Sequence, residues 1–112
     1  MDMRFEWDDD KNRENLCKHD VRFETALLVF EDPHAITQRD SMHDEEEERF
    51  ITLGASGPGS IVFVVHTWHE RSGEECVRII SARAATAGER KSYESANKRT
   101  EAGHRRDRRK KR

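Results

Sequence analysis

The sequence predicts an α+β domain in which helices pack on an antiparallel sheet of about four to five strands. An alternating segment comes first, and then a segment that begins with N-cap residues and a segment with helical periodicity. Apolar segments separated by turn residues come next, before a last helical segment. We therefore expect two helices before the main strands and one after them. The length of 112 residues suits one small domain, and with 33% hydrophobic and 39% charged residues the supply of core residues is small, so we expect part of the chain to be disordered.

The first third of the chain carries one strand and two helices. Residues 5–7 alternate like a strand, and the acidic residues 8–10 are N-cap candidates for a helix that ends near His19. Apolar residues within 23–30 recur at helical spacing, which predicts a second helix. Asp32-Pro33 should end it, because the residue before a proline avoids helical backbone angles.

The remaining elements are strands followed by one helix. Four segments have strand composition: 35–39, 49–54, 61–67 and 76–82. Turn residues at 55–60 and 69–74 separate the last three, which predicts an antiparallel meander. Thr86 and Glu89 have the spacing of a capping box, so the last helix should begin at Thr86 and continue to about Ser95.

The register of the two longest strands decides which side chains share a face. If His66 lies opposite Arg78, the large aliphatic side chains meet one another, whereas an offset of one residue separates His66 from Arg78. We expect the first register. It places His66 and Arg78 on one face and buries five residues on the other: Ile61, Phe63, Val65, Val77 and Ile79.

Two arginines at the end of the meander are candidates for phosphate binding. Arg78 lies within the predicted strand, and Arg83 lies in the loop before the last helix. The N–H groups at a helix start favour anions, and a guanidinium matches phosphate oxygens with two parallel hydrogen bonds. We expect both side chains to converge on one phosphate. The alternative is that both form structural ion pairs in an acidic protein.

Charge is unevenly distributed along the chain. Residues 98–112 hold nine basic and two acidic residues, a net charge of +7, whereas residues 1–97 hold 12 basic and 21 acidic residues, a net charge of −9. We interpret residues 1–96 as the folded domain and residues 97–112 as a basic, disordered tail. The tail either binds the acidic body of another copy, contacts nucleic acid, or has no specific partner.

Several classes of function are excluded by what the sequence lacks. It has no glycine-rich phosphate loop, no nucleophile-elbow motif and no cysteine or histidine pair at metal-ligand spacing. We therefore expect no metal and no cofactor. No apolar run is long enough to span a bilayer and no secretory leader is visible, so we expect no membrane partner, a cytoplasmic location and reduced cysteines.

Short motifs in a specific order cover residues 4–94. The main ones are Phe5-Glu6-Trp7-Asp8, Lys18-His19, Glu48-Arg49-Phe50, Val65-His66-Thr67-Trp68 and Arg78-Ile79-Ile80-Ser81-Ala82-Arg83-Ala84. Together they resemble the BrnT toxin family. The resemblance implies a RelE-like fold and an endoribonuclease toxin of a type II toxin–antitoxin pair. It also implies a BrnA-like antitoxin as partner, which neutralises the toxin and alone contacts operator DNA.

Two positions depart from the family pattern. Asp20 stands where the family usually has glycine after Lys-His, at a point where the chain leaving a helix favours positive φ. Gly88 lies in the first turn of the last helix and weakens it by up to about 1 kcal/mol relative to alanine. These departures motivate an alternative, a catalytically degenerate member that binds antitoxin or nucleic acid.

Metal-free RNA cleavage needs a base, cations that stabilise the phosphorane, and an acid for the leaving oxygen. We assign candidate roles to eight residues. The catalytic candidates are Arg78, Arg83, His66 and Lys18, and the substrate-binding candidates are Trp68, Tyr93, Arg49 and His19. His66 would move protons, unless it is a strand histidine satisfied by a neighbour. Lys18 and His19 match the family motif, but a role in offsetting the helix dipole would also explain them. The two aromatic rings would stack on bases.

Overall fold

The computed structural model describes residues 3–41 and 47–97, and it confirms the α+β class. The basic tail from residue 98 and most of the acidic run at 40–48 lie outside the described residues. In chain order the elements are β1 (Met3–Glu6), α1 (Asp9–His19), α2 (Phe23–Ala26), a 3₁₀ helix (Leu27–Glu31), β2 (Ile36–Arg39), β3 (Phe50–Gly57), β4 (Ser60–His66), β5 (His69–Arg71), β6 (Glu74–Ala84) and α3 (residues 87–97).

The described strands form a mixed six-stranded sheet in the order β1-β6-β4-β3-β2, with β5 also beside β6. β1 runs parallel to β6, and the other pairs are antiparallel. The expected all-antiparallel sheet of four to five strands is therefore wrong in two respects. The first strand pairs with the last one, and residues 69–74 form a tight hairpin rather than a loop. Positive φ at Ser72 and Gly73 makes its turn only two residues long, so the flanking residues pair as β5 and β6.

Helix α1 begins and ends where the sequence predicts. The side chain of Asp8 accepts hydrogen bonds from the N–H groups of Asp10 and Lys11, at 2.8 and 3.2 Å, which caps the helix. The helix ends at Asp20, whose φ of 58° is left-handed. This is the conformation for which glycine is favoured, so the departure at Asp20 falls on a position with a real steric demand.

The segment 23–31 changes helix type halfway. It is α-helical to Ala26 and 3₁₀ from Leu27 to Glu31, whereas a single helix was expected. Its fully buried side chains are Phe23, Ala26 and Val29, a spacing of three that suits the tighter helix. Asp32-Pro33 ends the segment as predicted.

The core lies between one face of the sheet and the helical segments α1, α2 and 3₁₀. We call this the covered face. The buried cluster contains Phe23, Ala26, Val29, Val62, Val64, Val77, Ile79 and Ala82. We call the opposite side the open face. Its strand residues Ile51, Phe63 and Val65 are only half-buried.

A β-bulge between β4 and β6 overturns the expected register. Val65 lies opposite Ser81, but His66 lies opposite Ile79, so β6 carries one extra residue. His66 therefore points into the covered face beside Ile79, whereas Arg78 is exposed on the open face. The prediction that they share a face is wrong. The extra residue also puts Arg78 and Arg83 on the same face, although they are an odd number of positions, five, apart in the sequence.

Candidate nucleic-acid site

A cleft of about 480 Å³ lies where β1 ends beside β6. It combines three cationic side chains with two carboxylates and apolar walls. The lining residues are Glu6, Trp7, Asp8, Lys11, Arg49, Arg78, Ile79 and Ile80. Cations around a concave surface of this size suit a phosphodiester, which carries one negative charge per nucleotide.

Each charged group of the cleft is placed by a regular element. Glu6 and Arg78 are register partners in the parallel β1–β6 pair, so their side chains lie next to each other on the open face. Lys11 lies in the first turn of α1, where Asp8 fixes its backbone. Arg49 directly precedes β3 and also lines the cleft. Three separate segments therefore bring cations to one place.

Arg78 is engaged but accessible. Its Nη2 donates to Oε1 of Glu47, and Oε2 of Glu47 lies 4.0 Å from Nε2 of His69. The Arg78 side chain keeps 46% of its surface exposed. Exposed ion pairs of this kind contribute about 0–1 kcal/mol, so a phosphate could replace Glu47 at small cost.

Arg83 has a different environment. It lies inside β6 rather than in the predicted loop, and it donates to both carboxylate oxygens of Glu89 at 2.8 and 3.0 Å. Its guanidinium also covers the ring of Phe63, 3.9 Å from the centroid. The hydrogen bond with Glu89 raises the pKa of Arg83, and the bond with Arg83 lowers the pKa of Glu89. We call this pair, together with Phe63, the strand–helix latch.

Glu89 of the strand–helix latch also forms the predicted capping box with Thr86. Oε1 of Glu89 accepts from the N–H of Thr86 at 2.9 Å, and the Thr86 hydroxyl accepts from the N–H of Glu89 at 3.2 Å. Arg83 is about 15 Å along the strand from Arg78 and does not line the cleft. The prediction that both arginines converge on one phosphate is therefore wrong.

His66 is fully buried, and both of its ring nitrogens are satisfied. Nδ1 lies 3.0 Å from the carbonyl oxygen of Thr67, so it carries the hydrogen, and Nε2 accepts from the Thr52 hydroxyl at 2.7 Å. Thr52 in turn accepts from Thr37 at 2.8 Å. Burial lowers the pKa of His66, against the smaller opposing effect of the Thr67 carbonyl. The geometry is that of a neutral structural histidine, and no open surface reaches it.

The other four candidates lie away from the cleft. Lys18 and His19 close α1, about 10 Å beyond Lys11 along the helix. Trp68 packs edge-on against Phe50 and donates to Glu75 at 3.3 Å. The hydroxyl of Tyr93 donates to Asp32 at 2.6 Å, and desolvation together with this bond raises the pKa of Tyr93 to about 12.

Of the eight predicted site residues, the structure brings only Arg78 and Arg49 together. Sequence reasoning missed Lys11 and Glu6 as parts of a site, and it gave Asp8 only its capping role. The sequence did contain one signal for them. Glu6 ends a strand and is followed at once by the helix that Asp8 caps, so Glu6, Asp8 and Lys11 must lie close together at one edge of the sheet.

Two further observations concern the described residues. Within residues 3–41 and 47–97, no group of three or more histidine, cysteine, aspartate or glutamate side chains could hold a metal ion. In the same part of the chain, every helix is too short or too polar to cross a bilayer.

Comparison with known proteins agrees with the motifs. The model of a family described as the ribonuclease toxin BrnT, of type II toxin–antitoxin systems, matches residues 7–89. The crystal structure of the Brucella abortus ribonuclease toxin BrnT is similar to this chain, with a TM-score of 0.56 and 24% sequence identity. That similarity covers 77% of this chain and 99% of the Brucella chain. A search of curated proteins finds no match.

Proposed function

Because this chain belongs to the BrnT family of ribonuclease toxins, we propose that it is an endoribonuclease that cleaves RNA without a metal ion. The observation that carries the proposal is the convergence of Lys11, Arg49 and Arg78 on one cleft. Fixed cations around a phosphate stabilise the additional negative charge of the phosphorane, which is the main requirement of metal-free cleavage.

We assign the cations different tasks from their geometry. The planar guanidinium of Arg78 can bind two phosphate oxygens once it leaves Glu47, and Arg49, just before β3, lines the same cleft. Lys11 supplies a compact charge at the start of a helix, where the dipole also favours an anion. Arg83 is assigned to folding, since Glu89 and Phe63 occupy its guanidinium.

The test uses purified protein, free of antitoxin, with single-stranded RNA and EDTA. We expect cleavage in the wild type, and a loss of about 100-fold or more in Arg78→Ala, because removal of one transition-state donor typically has an effect of this size. Arg13→Ala is the matched control. Arg13 is an exposed arginine of α1 that pairs with Asp10 and does not line the cleft. Equal cleavage by the wild type and Arg78→Ala would remove Arg78 from the mechanism.

We further propose that a BrnA-like antitoxin neutralises this protein and that operator DNA is bound only through it. Membership in a type II toxin family supports an antitoxin partner. Expression of the chain alone should arrest growth and degrade RNA, and co-expression with the neighbouring small gene should restore both. A neighbour that does not bind the chain would exclude that gene as the antitoxin.

A second candidate function is a degenerate family member that only binds antitoxin or nucleic acid. The observation that favours it is that Arg78 and Arg83 both already have carboxylate partners, Glu47 and Glu89. Truncation after Ala96 separates the possibilities for binding. If affinity for RNA and its salt dependence disappear, the basic tail is the binding element, and if they persist, the folded domain binds.

A further inference from the structure

Glu6 is the carboxylate of the cleft whose side chain is not engaged by another residue of the described chain. Among residues 3–41 and 47–97, its side chain makes no hydrogen bond and no ion pair. It is exposed at the end of β1, and its register partner across the parallel ladder is Arg78. A carboxylate with both oxygens available, beside a phosphate-binding cation, is positioned to accept a proton from the substrate.

The two neighbouring carboxylates, Asp8 and Glu47, already accept hydrogen bonds from other protein groups. One oxygen of Asp8 accepts the N–H groups of Asp10 and Lys11 and thereby caps α1. Glu47 bonds to Arg78 with one oxygen and faces His69 with the other. A general base must keep a lone pair directed at the substrate, and of these three carboxylates Glu6 is the one with both oxygens unengaged.

We infer that Glu6 is the general base of the cleavage reaction, an inference that rests on the proposed ribonuclease function. The Glu6 carboxylate takes the proton of the ribose 2′-OH, and the 2′-oxygen forms a bond to phosphorus. The bond from phosphorus to the 5′-oxygen breaks, and this oxygen takes a proton from water. The products are a 2′,3′-cyclic phosphate and a 5′-hydroxyl, with no oxidant, reductant or metal required.

The arrangement of the cleft supports this role for Glu6. When Arg78 and Arg49 hold the phosphate, the attached ribose lies on the same open face as Glu6. The charged groups that line the hollows on the two sides of Glu6 are Asp8, Lys11, Arg49 and Arg78 in the cleft, and Arg4, Arg71 and Glu74 beyond it.

The experiment compares Glu6→Gln with the wild type in three measurements. We expect kcat to fall about 100-fold or more, which is the usual contribution of general base catalysis. The Kd for an RNA blocked by 2′-O-methyl groups should stay within about threefold of wild type or become tighter, because an anion has left the cleft. The acid limb of the wild-type pH–rate profile should disappear in the variant. Glu6→Asp should restore part of the rate and the acid limb.

Glu74→Gln is the matched control. Glu74 is a partly exposed carboxylate at the start of β6, which pairs with Arg4 at 3.6 Å and lies outside the cleft. Its rate and pH profile should equal those of the wild type.

Two outcomes would overturn the inference, and they are distinguishable. If the wild type cleaves RNA and Glu6→Gln keeps its acid limb, Glu6 is not the base, whatever the change in rate, and the proposed function stands. If the wild type and Glu74→Gln both fail to cleave RNA, the proposed function fails and the role of Glu6 fails with it.

Discussion

The two faces of the sheet use polar side chains in opposite ways. On the covered face, His66 and Asn15 are buried and every polar atom of their side chains has a protein partner. On the open face, Arg78 has one exchangeable ion pair and Glu6 has no partner within the described residues. The difference teaches that residue type alone does not identify a site. A histidine becomes structural when its face is covered, and a strand-end glutamate becomes a catalytic candidate when its face is open.

The strand–helix latch is an intermediate case that sharpens this comparison. Arg83 shares the open face with Arg78, but Glu89 and Phe63 fill its hydrogen-bonding and stacking capacity. We therefore expect substitutions on the covered face and in the strand–helix latch to reduce stability, and substitutions in the cleft to reduce activity alone.

The largest loss of stability is expected for Asn15→Ala on the covered face. The side-chain amide of Asn15 accepts from the N–H of Ala82 at 3.1 Å and donates to the carbonyl of Ala82 at 2.7 Å. It thereby supplies the hydrogen bonds that a neighbouring strand would make to β6 beyond the end of β1. Removal leaves two buried backbone groups unpaired, and we expect the free energy of unfolding to fall by about 3 kcal/mol. Urea denaturation measures this. Glu14→Ala, an exposed change on the same helix, is the control, and an equal effect of both would contradict the assignment.

A smaller loss is expected on acidification, through His66. Burial holds the folded-state pKa of His66 below the ordinary value for histidine, so the unfolded chain binds the proton more readily. The contribution is fully present above the unfolded-state pKa and is lost as pH falls through it towards the folded value. We expect the free energy of unfolding to decrease from about pH 7 to pH 5, above the range in which carboxylates titrate. His66 should stay neutral by NMR throughout the upper part of this range, and a charged ring there would refute the prediction.

Arg83→Ala should destabilise the strand–helix latch moderately. The bidentate pair and the ring contact are lost, but the side chains of Arg83 and Glu89 are 34% and 26% exposed, which screens the pair. We expect a decrease of about 1–2 kcal/mol in the free energy of unfolding. Specific cleavage per folded molecule should remain within about twofold of wild type. A large loss of cleavage with unchanged stability would place Arg83 in the site after all.

The smallest effect on stability is expected for Arg78→Ala. Its ion pair with Glu47 is exposed, so the free energy of unfolding should change by no more than about 0.5 kcal/mol. Thermal unfolding of this variant beside Arg13→Ala provides the measurement. A decrease comparable to that of Arg83→Ala would show that the cleft cation is also structural, and the contrast between the two arginines would disappear.

Local chemistry made much of the fold predictable. The Asp8 cap, the end of the second helical segment at Asp32 and the capping box of Thr86 and Glu89 depend on residues close in sequence, and all three are confirmed. The candidate site was less predictable. Only Arg49 and Arg78 of its cations were identified, because the position of Lys11 depends on which strand lies beside β1.

The sequence by itself determined the helix ends, most of the strand segments, the charge distribution and the family motifs, because each depends on neighbours along the chain or on composition. Tertiary structure alone decided the parallel pairing of β1 with β6, the bulge in β6, and therefore the face on which each side chain lies. The physical reason is the two-residue period of a strand. One extra residue reverses all later side chains at little local cost, so only long-range packing selects the register.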